Sequence, residues 1–201
     1  MKNSLSDILV LLLTVVLIVS QSNTAFGKAE SAAVFNAGEM AEGAPPELQH
    51  WGKMVGRWST QEEGLKPDGS GWQASVGADW DFFWAFDGWG IQDNYTSPPA
   101  SEPLEDESSR QRGINLRIYN PQEKKWILTW LTTASKKPMN LSAISSDTEI
   151  VMLRDDKDAN GNYSRITFFD ITDNTFEWKL EWSADQETWL EVYRIHGSRR
   201  E

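Results

Sequence analysis

Gly71-Trp72-Gln73-Ala74-Ser75-Val76-Gly77-Ala78-Asp79-Trp80-Asp81-Phe82-Phe83-Trp84-Ala85-Phe86 alternates with a period of two. Trp72, Ala74, Val76, Ala78, Trp80, Phe82, Trp84 and Phe86 fall on one face, and Gln73, Ser75, Asp79 and Asp81 on the other. Alternation over this length predicts a half-buried β-strand, with Gly77 as the place for a bend. The same signature returns at Trp126, Leu128 and Trp130. It appears again at Phe176, Trp178, Leu180 and Trp182, with Glu177, Lys179 and Glu181 facing outward. Shorter candidate strands are 57–64, 88–96, 112–119, 140–145, 148–154, 163–171 and 188–196.

Turn residues separate these segments: Lys66-Pro67-Asp68-Gly69, Asn120-Pro121, Asp158-Ala159-Asn160-Gly161, Asp173-Asn174 and Ala184-Asp185. Connections this short, with no helical stretch between strands, predict an antiparallel meander of about ten strands. Closing the meander into an all-β, up-and-down barrel removes the exposed edges that invite aggregation. One connection differs. Ser97 to Arg110 is long, acidic and rich in Pro and Ser, so it reads as disordered or, alternatively, as a lid over one mouth. Ahead of the strands, Pro45-Pro46-Glu47-Leu48 with Leu48, Trp51, Met54 and Val55 at helical spacing predicts a short helix ending near Gly56.

Lys2, the apolar run Ile8–Val19 broken only by Thr14, and Ala25-Phe26-Gly27 have the layout of a secretory signal peptide, residues 1–27. The run is too short for a bilayer, which takes roughly 20 residues. The expectation is therefore a mature chain without a membrane span, exported to the periplasm or beyond. Residues 28–44 are small, polar and aperiodic and read as a flexible leader, and 45–201 as one domain. There is no cysteine, so thiol nucleophiles, thiolate metal sites and disulfides are all excluded. The net charge of −11 argues against nucleic acid, whose recognition rests on basic contacts to phosphate.

The helix followed by Gly56-Arg57-Trp58 at the head of the first strand resembles the lipocalin and calycin superfamily. The resemblance implies that Gly56 and Trp58 form the closed end of the barrel. It also implies an arginine of the last strand packed on Trp58: Arg194, with Arg199 or Arg200 as substitutes. The segments HWGKMVGRWST (50–60), GINLRIYNPQEKKWILTWL (113–131) and WKLEWSADQETWLEVYRI (178–195) resemble a bacterial lipocalin-like family of unknown function. Tyr119-Asn120-Pro121 with Trp126 to Trp130, and Ser183, Asp185, Thr188 and Trp189, match its two hairpins, with Gln186 where glycine is usual. The match covers roughly 48–200 and brings no catalytic residues. A haem-binding subgroup of calycins uses a single histidine, so His196 is a candidate axial ligand; His50 sits in the capping helix.

Eleven tryptophans dominate the candidate chemistry. Trp80, Trp84, Trp130, Trp178 and Trp182 lie on long strands and could line a cavity for a hydrophobic or aromatic molecule. The plainer alternative is that they fill the barrel as core. Asp156-Lys157-Asp158-Ala159-Asn160-Gly161 matches half of a calcium loop, but Thr167 stands where the bidentate Glu belongs, and the same letters make an ordinary hairpin. Asp79, Asp81 and Asp87 are candidate acid–base carboxylates, yet Asp79 and Asp81 fall on the face away from the aromatics. No phosphate loop, nucleophile elbow or zinc signature occurs. Asn94, Asn140 and Asn162 open glycosylation sequons, relevant only in a eukaryotic secretory pathway.

The expectation is an exported small-molecule binder with a tryptophan-lined cavity and no cofactor or metal. The alternative is a filled-barrel interaction protein. An enzyme, the third class, would need a polar pair inside the barrel.

Overall fold

The computed structural model describes residues 35–201, so the expected signal peptide and the start of the leader lie outside the described residues. One compact unit runs from Asn36 to Glu201. A helix, α1 (Leu48–Gly52), precedes eleven strands: β1 (Gly56–Leu65), β2 (Trp72–Ser75), β3 (Asp79–Ala85), β4 (Gly90–Ser97), β5 (Gln111–Asn120), β6 (Lys125–Thr132), β7 (Met139–Ser145), β8 (Glu149–Arg154), β9 (Tyr163–Phe169), β10 (Thr175–Ser183) and β11 (Leu190–Arg199). From β3 to β11 each strand pairs antiparallel with the next, and β11 returns to β1 over seven register positions, from Trp58 opposite Arg199 to Gly64 opposite Tyr193. Ten strands close the antiparallel barrel, with β2 as an extra strand on the far half of β1.

The 71–86 stretch is one strand broken by a bulge. Ser59 pairs with Asp79 but Glu62 pairs with Ser75, so two residues of β1 oppose three from Val76 to Ala78. Gly77 allows it: a Cβ there would lie 2.2 Å from the Thr60 carbonyl oxygen. A one-residue shift turns every following side chain to the other face. Trp72 therefore lies outside, under the Arg194 guanidinium at 4.2 Å, while Trp80 and Phe82 are buried inside. The single face expected for 72–86 is thus two faces, one on each side of the bulge.

α1 is too short to persist alone and is held by what it buries. Leu48, Trp51 and Met54 are fully enclosed, and the Trp51 ring meets Phe168 edge-on at 5.1 Å. Trp58 donates from Nε1 to the Met54 carbonyl at 2.7 Å. The arginine on Trp58 is Arg199, not Arg194. Its guanidinium lies 4.1 Å over the indole and donates to the carbonyls of Val55 and Lys53, both at 2.8 Å. Arg194 faces outward from its register position opposite Glu63, and pairs with that carboxylate at 2.7 Å. At Gly56, φ is +137° and a Cβ would meet Arg199 Nη1 at 2.0 Å, so a side chain is excluded by conformation and by space.

Two segments expected to be loose are built in. From Asn36 the leader runs along β3: the Ala37 carbonyl accepts from Trp84 N at 2.8 Å, Ala41 N donates to Gly88 O at 3.1 Å, and Met40 packs on the core. The acidic connection, read as disordered, is organised by Arg110. That side chain is buried, donates to the carbonyls of Pro98, Pro99 and Glu102, and pairs with Glu107 at 2.8 Å. A backbone bond from Ala100 N to Asp79 Oδ2 at 3.0 Å ties the connection to the barrel wall.

The closed end is a dense aromatic core, so its parts have unequal worth. Trp58→Ala is expected to cost about 3–5 kcal/mol in urea unfolding, whereas Trp89→Ala, at a half-exposed turn, should stay within about 0.5 kcal/mol.

Candidate functional site

The half of the barrel away from α1 is hollow. A cavity of about 430 Å³ is walled by Trp80, Trp130, Trp178, Met139, Leu141, Met152, Ile166, Leu180 and Ile195, with Glu62, Tyr95, Gln111, Asn115, Arg117 and Tyr193 supplying polar atoms. Space is kept open by Gly113: a Cβ there would stand 2.2 Å from Trp130 Cη2, so the indole lies flat against the backbone of β5. In the filled half Gly197 accepts Phe176 in the same way, at 2.1 Å.

The expected lining tryptophans divide. Trp80, Trp130 and Trp178 come together around two tyrosines, with Tyr95 5.6 Å from Trp80 and 6.1 Å from Trp130, and Tyr193 6.3 Å from Trp178. Trp84 lies at the other end, its ring against Gly52 of α1 and its backbone against Gly38. Trp182 is 37% exposed and contributes nothing to the lining.

The interior is more polar than the sequence reading anticipated. Glu62 is 3% exposed. Its carboxylate accepts from Thr60 Oγ1 at 2.6 Å, Tyr193 OH at 2.7 Å and Tyr95 OH at 3.0 and 3.1 Å to the two oxygens. Burial, reinforced by that carboxylate, lifts the Tyr193 hydroxyl to about 12 and holds the Tyr95 hydroxyl well above the usual phenol range. Deeper in, where the filled and hollow halves meet, Arg117 pairs through Nη2 with Asp93, and both side chains are completely buried. The guanidinium carbon lies over the Trp51 ring, 4.0 Å from its centroid. Burial raises the Asp93 carboxyl despite the opposing pull of Arg117. Arg117 Nε and Nη1 and Asn115 Oδ1 have no hydrogen-bond partner within the protein.

Asn115 and Arg117 were missed because β5 reads inverted. In Gly113-Ile114-Asn115-Leu116-Arg117-Ile118-Tyr119 the aliphatic residues suggest the inner face, yet Asn115, Arg117 and Tyr119 point in while Ile114 and Ile118 are 38% and 47% exposed. Outside, Ile114 and Ile118 are covered in part by Leu131 and Ile127, their cross-strand partners on β6. A signal was available: Asp93 and Arg117 share the inward parity of Ile91 and Tyr119 on neighbouring strands and carry opposite charges.

The other candidates lie elsewhere. His196 faces outward and bonds Glu177 at 2.7 Å, so it cannot reach a haem in the lumen; His50 bonds Ser145 Oγ at 2.8 Å at the closed end. Asp79 and Asp81 are on the outer face, both bridged by Arg200, and Asp87 sits in the turn after β3. In the calcium-like loop, Asp158 accepts from its own hairpin, the backbone N–H groups of Asn160 and Asn162 at 2.8 Å, and Asp156 pairs with Arg154. No cluster of three His, Asp or Glu side chains suited to a metal occurs among the described residues, nor does a helix long and apolar enough to cross a membrane.

No family model matches the chain, and no curated protein does. Among solved structures it is similar to Rv2717c from M. tuberculosis, at 11% identity and a TM-score of 0.48 over 79% of this chain and 99% of that one. It is also similar to the S-type phycobiliprotein lyase CPES from Guillardia theta, at 10% identity and a TM-score of 0.47 over 80% and 99%.

The tyrosine clamp on Glu62 makes stability depend on alkaline pH. Below pH 10 the hydroxyls are protonated in folded and unfolded chains alike, and the contribution is constant. Between pH 10 and about 12 the unfolded chain loses the Tyr193 proton while the folded chain keeps it, so stability falls as pH rises. The urea midpoint should drop across that window, and the drop should be smaller in Tyr95→Phe/Tyr193→Phe. An equal drop in the variant contradicts the assignment.

Proposed function

We propose that this protein is an exported binding protein of the bacterial lipocalin-like type, whose barrel holds one small, mainly apolar molecule. The observation that carries the reading is the cavity of about 430 Å³ walled by Trp80, Trp130 and Trp178. Small-molecule sites span about 300–1,000 Å³ and combine apolar walls with a few placed polar groups. Apolar ligand surface buried there contributes about 25 cal/mol per Å². Export rests on the signal-peptide layout of residues 1–27.

Binding is favoured over catalysis by the state of the polar groups. The two Glu62 oxygens accept four hydrogen bonds from three hydroxyls, which occupies the carboxylate. Arg117 and Asp93 neutralise each other, and neither stands beside a nucleophile.

A neutral apolar fluorophore, N-phenyl-1-naphthylamine, tests the reading. It should bind saturably at one site per chain, with enhanced emission. Met152→Trp, which puts an indole into the lumen, should weaken binding about tenfold or more, equivalent to about 1.4 kcal/mol, while circular dichroism stays native. Absence of saturable binding, or equal affinity in the variant, overturns the proposal.

A further inference from the structure

We infer that the molecule held in the barrel carries a quaternary ammonium group on its apolar body, and that this head sits among the aromatic rings beside Glu62. The inference rests on the reading of the barrel as a binding cavity.

Five rings follow one another around the lumen, each steeply inclined to the next. Trp130 meets Tyr95 at 74°, Tyr95 meets Trp80 at 88°, Trp80 meets Trp178 at 72°, and Trp178 meets Tyr193 at 87°. Rings set edge to face in this way stand as the sides of a box. The Trp130 indole lies on the β5 backbone at Gly113, which leaves its other face to the lumen. Tyr95, Trp130, Trp178 and Tyr193 line the cavity and are only half-buried, so solvent reaches these rings. The face of an aromatic ring is the negative end of its quadrupole and attracts a cation placed over it.

The charge of the interior selects a cation. Asp93 balances Arg117, so the charge left over in the lumen is the Glu62 carboxylate, which forms no ion pair among the described residues. Tyr95 and Tyr193, two sides of the box, both donate to it, which holds the anion against the rings. Tyr95 pairs with Gly113, and Arg117 lies four residues deeper on β5, about 13 Å by strand geometry. The box therefore stands clear of the guanidinium. At long range the net charge of −11 draws cations and repels anions.

Hydrogen bonding narrows the class of cation. The Glu62 oxygens accept four bonds from Thr60, Tyr95 and Tyr193, which fills the roughly four lone-pair sites of a carboxylate. A primary ammonium brings three N–H donors that lose water on entry and need new acceptors. A quaternary ammonium brings none. Its charge lies under methyl groups, and ring faces with an anion nearby are enough to hold it. The rest of the apolar walls then cover the body of the molecule.

Three probes sharing a benzyl body test this: benzyltrimethylammonium, its neutral isostere neopentylbenzene, and benzylammonium. Each is titrated into the purified protein at pH 7, with tryptophan fluorescence as the readout. The quaternary cation should bind tighter than either of the others by about tenfold or more. A plain apolar pocket gives the reverse order for the first two, because the charge is then desolvated without compensation. In Glu62→Gln, which keeps the shape and removes the charge, the advantage over neopentylbenzene should fall about tenfold. If that variant does not fold, the order of the three affinities in the native protein still decides. An advantage undiminished by the substitution, or benzylammonium binding as tightly as the quaternary cation, overturns the inference. Neopentylbenzene binding as tightly as the quaternary cation, or tighter, overturns it and leaves the cavity reading standing. Binding of none overturns both.

Discussion

Asp93 and Arg117, a carboxylate and a guanidinium held dry at mid-barrel, mark the boundary on which the interior is organised. On one side of them Trp51, Trp58, Phe82, Trp126, Phe168 and Phe176 pack into a continuous core. On the other side the walls stand apart and the lumen is open. A buried ion pair of this kind contributes little net stability, since desolvation offsets most of the attraction, yet losing one partner is severe because the other is left charged in a dry place. Stability alone therefore gives a poor account of why the pair is there. Its place between the packed core and the open lumen gives a better one.

The boundary holds its place because the closed end is rigid. The Arg199 guanidinium covers Trp58 and accepts no freedom of its own, being tied to the carbonyls of Val55 and Lys53 behind α1. Trp51 then hangs from α1 with its face against Arg117. A continuous line of contacts runs from the last strand, through the plug and the helix, to the guanidinium at the cavity floor. At the opposite end the bulge at Gly77 lets β1 change partners from β3 to β2, and Glu62, inward by the unbroken alternation of β1, meets Tyr95 and Tyr193.

Much of the fold was legible in the sequence because strand alternation and turn chemistry are local. The strand order and the capping helix follow from the period-two stretches and the spacing of Leu48 and Trp51, whereas the closed-end place of Trp58 was implied by the family resemblance of Gly56-Arg57-Trp58. The site was legible only in part. Trp80, Trp130 and Trp178 line the cavity as position on a long strand suggested, but Trp84 and Trp182 share the same alternation and lie beyond its two ends. Periodicity gives the face of a strand and not the height along the barrel axis. Asn115 and Arg117 escaped notice for a different reason: β5 puts its aliphatic residues outside, and only the pairing with β4, a tertiary fact, shows that its polar residues face Asp93. The leader and the acidic connection were read as loose from composition. Composition cannot see a backbone bond to Trp84 or a buried Arg110 gathering carbonyls.

The central claim, proposed from the tryptophan-walled cavity, is that this barrel holds one small, mainly apolar molecule. Native mass spectrometry of the mature protein, purified from its own host without detergent or organic solvent and compared with its denatured mass, tests it most directly. The account predicts one non-covalent adduct per chain, released on denaturation. A bare polypeptide mass at gentle ionisation would contradict it.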